Sequence, residues 1–124
     1  MAIYMTRWFA RWAGKQDVTD ASLCAAALEM TNGLYDADLG GGLFKKRIAR
    51  AGQGKSGGFR TLVATNKGSR WIFVFGFPKN ERGNIGKDEE EALKKLAAHL
   101  LSMSPPMLAI ALSAGELMEL DCDA

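Results

Sequence analysis

The sequence predicts an α+β domain, a small antiparallel β-sheet packed against N-terminal helices with further helices C-terminal to it. Three observations carry this. Apolar residues recur at helical spacing near both ends, in segments that open on residues suited to capping. From Gly40-Gly41-Gly42 onward the texture changes to aromatic and β-branched runs separated by turn residues. At 124 residues, with 48% hydrophobic and 24% charged side chains, the chain is one domain's worth and too apolar to be disordered.

Thr6 suits the N-cap of a short helix in which Phe9, Trp12 and Ala13 share a face, ending at Gly14. Thr19 suits the cap of a second, where Leu23, Ala27 and Met30 recur at helical spacing until Asn32-Gly33 stops it. Residues 43–50 read as a long strand, with Phe44 and Ile48 on one face and Lys45 and Arg47 on the other. Residues 59–65 and 71–77 read as two more strands, joined by the hairpin turn Asn66-Lys67-Gly68-Ser69. The last of them (Trp71, Ile72, Phe73, Val74, Phe75) is apolar on both faces and belongs in a sheet centre covered on both sides. From Asp88 a helix returns, with Leu93, Leu96, Ala97, Leu100 and Met103 as its buried stripe and Glu90–Lys94 and Glu91–Lys95 pairs on its wet side. Pro105-Pro106 ends it, and a short helix at 107–112 and a tail follow. Residues 1–124 are taken as a single domain, with 105–124 as an extension.

No apolar run approaches the roughly 18 residues of a membrane span, and Arg7 and Arg11 interrupt the N-terminal apolar stretch that a signal peptide would need. Cys24 and Cys122 lie almost a chain-length apart without metal-ligand spacing, so reduced thiols and a cytoplasmic location are expected. The formal net charge of +2 conceals a marked asymmetry. Residues 1–41 carry −2, residues 83–124 carry −5, and residues 42–82 set ten basic side chains against Glu81 alone, a net +9. A cationic middle third points to a polyanion, nucleic acid before membrane, because no basic amphipathic helix carries the charge; a solvated basic face is the bland alternative.

Gly54-Lys55-Ser56 invites a phosphate-loop reading, but Ala49 stands where the leading glycine is required and a strand follows instead of a helix. His99 is the only histidine, which excludes a two-histidine acid–base pair, and Asp88-Glu89-Glu90-Glu91 reads as a helix start rather than a cation site. No metal or other cofactor is expected. What remains is the cationic sheet. Lys45, Arg47 and Arg60, with Lys79 and Arg82 beyond the central strand, point to one face that holds RNA phosphates and stabilises charge on a pentacoordinate transition state, a lysine serving as base. Binding without cleavage fits the same pattern.

Two stretches resemble a known family. They are Leu39-Gly40-Gly41-Gly42-Leu43-Phe44-Lys45-Lys46-Arg47-Ile48-Ala49-Arg50 running into Gly54-Lys55-Ser56-Gly57-Gly58-Phe59-Arg60-Thr61, and Phe75-Gly76-Phe77-Pro78-Lys79-Asn80-Glu81-Arg82-Gly83-Asn84-Ile85. Over roughly residues 5–103 the chain is similar to the RelE/ParE superfamily of type II toxins, nearest its RelE-like and HigB-like branch. The resemblance implies a small sheet backed by two N-terminal helices. It implies an mRNA interferase that cuts ribosome-engaged mRNA without a metal, by attack of a 2′-hydroxyl on the adjacent phosphate. The implied partners are mRNA, the ribosome and a cognate antitoxin, a small helix-turn-helix protein. The implied catalytic residues are Lys45, Arg47, Arg60 and either Lys79 or Arg82; from the charge pattern, the neighbouring Lys46, Arg50 and Lys55 are expected to contact the RNA. Two features depart from the family pattern: the loop carrying Lys55 is longer, and no tyrosine follows Arg82. ParE relatives share the fold but act on DNA gyrase, so a gyrase inhibitor without nuclease activity is the alternative.

Overall fold

The computed structural model describes residues 1–50 and 54–122, and for residue 50 and residues 54–57 the backbone only. Six strands and four helices follow the order β1 (Ala2–Thr6), α1 (Arg7–Lys15), α2 (Asp20–Thr31), β2 (Ala37–Gly40), β3 (Leu43–Arg50), β4 (Gly54–Thr65), β5 (Arg70–Pro78), α3 (Lys87–Ser102), α4 (Pro105–Ser113) and β6 (Leu117–Glu119). The strands form one sheet in the order β2-β3-β4-β5-β1-β6. Its core is the antiparallel run β2 to β5, matching the expected meander. The sheet as a whole is mixed, because β1 pairs parallel with β5, and β6 then adds antiparallel to β1. That extension escaped the sequence reading, since short edge strands carry little periodicity and a parallel partner lies far along the chain.

The capping logic holds residue by residue. Thr6 Oγ1 accepts from the Phe9 N–H at 3.1 Å and Thr19 Oγ1 accepts from the Ser22 N–H at 3.2 Å. The prolines start a helix rather than merely stopping one. α3 ends at Ser102, and Pro105 and Pro106 occupy the first turn of α4, where no backbone N–H is missed. Residues 105–122 are built into the fold, with Ala111, Leu117 and Leu120 buried.

Helices cover both faces of the sheet, as the doubly apolar β5 requires. On the α1–α2 face, Phe9, Leu23, Ala27 and Met30 pack with Phe44, Ile48, Val63 and Phe73. On the α3–α4 face, Ala97, Leu100 and Ala111 pack with Leu43, Leu62, Ile72 and Val74. β5 bulges between Phe73 and Phe75 against β4, which turns Phe75 toward the α3 side. Gly76 then faces α1, where the Trp12 ring lies so close that a Cβ would meet it at 2.5 Å.

The cysteines depart from the reduced state expected of them. Cys24 on α2 is bonded to Cys122 beyond β6, across a sequence separation of 98. Chain distance said nothing here, because β6 returns the C-terminus to the N-terminal helices, with the Leu120 N–H donating to the Ile3 carbonyl at 2.8 Å. Among the described residues, no single helix is long and apolar enough to cross a membrane.

A cationic sheet face as candidate functional site

Cross-strand register gathers the basic residues. Arg47 on β3 stands opposite Arg60 on β4, and Arg60 stands opposite Phe77 on β5. Two residues along, Lys45 faces Leu62 and Leu62 faces Phe75. Side chains two apart share a face, so Lys45, Arg47 and Arg60 lie on the α3 side, beyond the Leu43 and Ala64 positions that carry the core there. The 79–86 loop folds over this ground. Lys45 Nζ donates to Asn84 Oδ1 at 3.2 Å, and the Arg82 guanidinium lies 4.9 Å from the Phe77 ring centroid and 5.6 Å from that of Phe75.

The cations differ in how far they are already satisfied. Arg82 is held bidentately by Glu89, Nη1 to Oε1 at 2.9 Å and Nη2 to Oε2 at 2.7 Å. Those hydrogen bonds raise the Arg82 pKa. Reciprocally, the Arg82 hydrogen bond, with one from the Gly86 N–H, holds the Glu89 carboxyl down to about 2. Arg47 is pinned by Asp36, whose Oδ1 accepts from Nε at 2.8 Å and whose Oδ2 accepts from the Arg47 backbone N–H at 2.6 Å. Partial burial pushes the Asp36 carboxyl up, but the Arg47 side-chain and backbone hydrogen bonds outweigh it, and the net shift is downward. Arg60 is different. Its Nη1 is buried and has no hydrogen-bond partner. A buried donor without an acceptor is rare in native proteins and unfavourable.

Other expected site residues fall elsewhere. Lys46 was grouped with the RNA contacts, but strand alternation puts it on the α2 face, 4% exposed. There its ammonium pairs with Glu29 at 2.7 Å and donates to the Leu34 carbonyl at 2.9 Å, so it is held inside the fold rather than presented to a phosphate. Lys79 is exposed where β5 ends, its backbone N–H bonded to the Gly58 carbonyl at 3.1 Å. The side chains of Arg50 and Lys55 lie outside the described residues. Arg70 and Lys67 also leave the cationic pool. Arg70 Nη1 donates to the Leu100 and Met103 carbonyls at the end of α3, and Lys67 Nζ lies 4.9 Å from the Phe44 ring centroid. Part of the +9 therefore stitches the fold together. Asp36, Asn84 and Glu89, which position the cations, carried no signal in the sequence for that role.

The acidic run also has structural work. Glu89 holds Arg82, and Glu90 pairs with Lys94 at 3.2 Å. A largely apolar cavity of about 550 Å³ adjoins the cationic ground at Phe75, its walls including Trp8, Leu93 and Leu96 together with Arg7, His99 and Glu116.

The family model described as "RelE toxin of RelE / RelB toxin-antitoxin system" matches residues 1–120. The chain belongs to the RelE toxin family. Its role is thus that of the toxin of a toxin–antitoxin pair, and an antitoxin is its partner. No curated protein matches the chain.

Proposed function

We propose that this RelE-family toxin is an endoribonuclease that cleaves mRNA engaged on the ribosome. The observation that carries the reading is Arg60, a guanidinium with a buried, unsatisfied Nη1 facing Arg47 across the strands. A phosphate bound beside Arg47 and Arg60 meets the charge of both guanidinium groups, and the added charge of a pentacoordinate phosphorus strengthens that attraction. In the step proposed, the ribose 2′-oxygen bonds to the adjacent phosphorus and the P–O5′ bond breaks, leaving a 2′,3′-cyclic phosphate and a 5′-hydroxyl. The 2′-hydroxyl proton passes to an amine at Lys45, oriented by Asn84, and the departing 5′-oxygen takes a proton from water. Arg47 and Arg60 hold the non-bridging oxygens. Of the two residues the sequence left open, Arg82 is favoured over Lys79 because it lies over Phe77, the strand partner of Arg60. No metal enters this step.

The toxin is proposed to act in the cytoplasm, where translated mRNA lies, although the Cys24–Cys122 bond removes the reduced-thiol ground for that location. The Cys24–Cys122 bond does not bear on the site, since it ties the chain's end to α2. The antitoxin is proposed to be a small helix-turn-helix protein that lays acidic side chains over the same face, association then slowing as salt rises. The test is induction in a host lacking the antitoxin. Growth arrest, with cyclic-phosphate ends in ribosome-bound transcripts and none with Arg60→Met, is the expected outcome. Intact transcripts would refute it, and a block of gyrase supercoiling by the purified toxin would put the ParE-like reading in its place.

A further inference from the structure

Residues 116–122 form a strap along the sheet edge that is fastened at both ends. At one end Arg7 holds the turn between α4 and β6. Its backbone N–H donates to the Glu116 carbonyl at 3.1 Å, its Nε to that of Gly115 at 2.9 Å and its Nη2 to that of Ala114 at 3.0 Å. At the other end Cys122 is bonded to Cys24 on α2. Little between them would hold the strap alone. β6 is three residues long, and of residues 117–122 only Leu117 and Leu120 are buried. Past the short ladder, the Leu120 N–H reaches the Ile3 carbonyl at 2.8 Å. Terminal segments with so few buried contacts open locally unless they are tied down, at far less cost than global unfolding. The tie itself lies near solvent. Cys122 is exposed and Cys24 half-buried, and an open cavity of about 360 Å³ lies beside Cys122, lined by Met1, Ile3, Glu119, Leu120 and Asp121. Access therefore favours attack at Cys122 over Cys24.

We infer that the Cys24–Cys122 bond is a redox latch on this strap, opened by a dithiol reductant. In the step proposed, a thiolate of the reductant bonds to Cys122 Sγ and the S–S bond breaks, Cys24 leaving as a thiolate. The second thiol of the reductant then displaces Cys122, and the reductant departs as its own disulfide. Two electrons and two protons pass from the dithiol to the two cysteines. With the latch open, the strap peels from Cys122 back to the Arg7 anchor and uncovers the outer edge of β1, where Tyr4, Met5 and Thr6 are its partners. The reduced toxin then offers proteases a free segment, and oxidation withdraws it. β1 and β5 stand between β6 and β4, so the cationic face keeps its geometry in both states. The inference does not rest on the RNA reading.

The test digests the full chain under native conditions with a glutamate-specific endoprotease, with and without dithiothreitol. Every sample is reduced after quenching, so that fragments joined by the bond separate before mass spectrometry. Cleavage after Glu119, within β6, is expected to run roughly tenfold or more faster in the reduced protein, and cleavage after Glu91, within α3, to rise much less. Cys122→Ser, which cannot form the bond, should match the reduced wild type in either buffer. Equal rates after Glu119 in the two buffers would overturn the inference, because the strap would then stay closed without its latch. An equal rise after Glu91 would overturn it too, making the bond a staple of the whole fold rather than of one segment. A Cys122→Ser chain that still responded to dithiothreitol would place the effect outside this bond.

Discussion

Arg60→Met should stabilise the folded protein while abolishing its toxicity. Methionine keeps the unbranched stem of arginine and removes the guanidinium, so little packing is lost. What disappears is one buried donor without a partner, together with a like charge directly across from Arg47. An unsatisfied buried donor costs about 1–3 kcal/mol. The low end applies, because Arg60 as a whole is only half-buried. The Arg47–Arg60 repulsion adds about 0.3 kcal/mol, softened by Asp36 beside Arg47. The net gain is about 1 kcal/mol. In urea, at a slope of about 2 kcal/mol per molar for a domain of this size, the midpoint should rise by about half a molar with the slope unchanged. Toxicity is read in parallel from growth after induction. A midpoint that falls by about half a molar would show that the guanidinium makes favourable contacts in the resting fold. The anion-site argument would then fail. A variant that is stabilised yet still toxic would leave Arg60 strained for no catalytic reason and would refute its assignment.

The Lys46–Glu29 pair, buried on its lysine side only, should behave asymmetrically. Glu29→Ala leaves a 4% exposed ammonium with the Leu34 carbonyl and should destabilise by about 2 kcal/mol in urea unfolding, whereas Lys46→Met removes the charge and should cost less than about 1 kcal/mol. A Lys46→Met that lost RNA affinity as Arg60→Met does would return Lys46 to the RNA site. Glu89 titrates at about 2 when folded, below its unfolded value, so its contribution is present above about pH 4.5 and is lost as pH falls through about 2. The stability gap between wild type and Glu89→Gln should accordingly be widest near neutral pH and close toward about pH 2; a gap that widened on acidification would contradict the Arg82 pairing. Thiol titration of the unfolded, unreduced protein should find neither Cys24 nor Cys122, and reduction should lower stability by up to about 5 kcal/mol, the chain-entropy value for closing so long a loop. Two free thiols in the unreduced chain would refute the bond.

The sequence by itself determined most of the local structure. The threonine caps, the Asn-Gly stop, the 66–69 hairpin and the doubly apolar β5 are decided by groups within a few residues of one another, and each stands where its pattern placed it. Period-two alternation was also enough to put Lys45 and Arg47 on one face. The same alternation sends Lys46 to the other, although charge counting had grouped it with the RNA contacts. Tertiary structure decided what depends on partners distant in the chain. Parallel pairing of β1 with β5, the addition of β6 and the joining of Cys24 to Cys122 are settled by how the two ends return to one edge of the sheet. The same holds for the cations. Composition counts charges, but only packing determines which of them meet a carboxylate, as Arg47, Arg82 and Lys46 do, and which donor is left buried and unanswered, as Arg60 Nη1 is. Hydrogen-bond satisfaction is a property of three-dimensional neighbours, and no one-dimensional pattern encodes it.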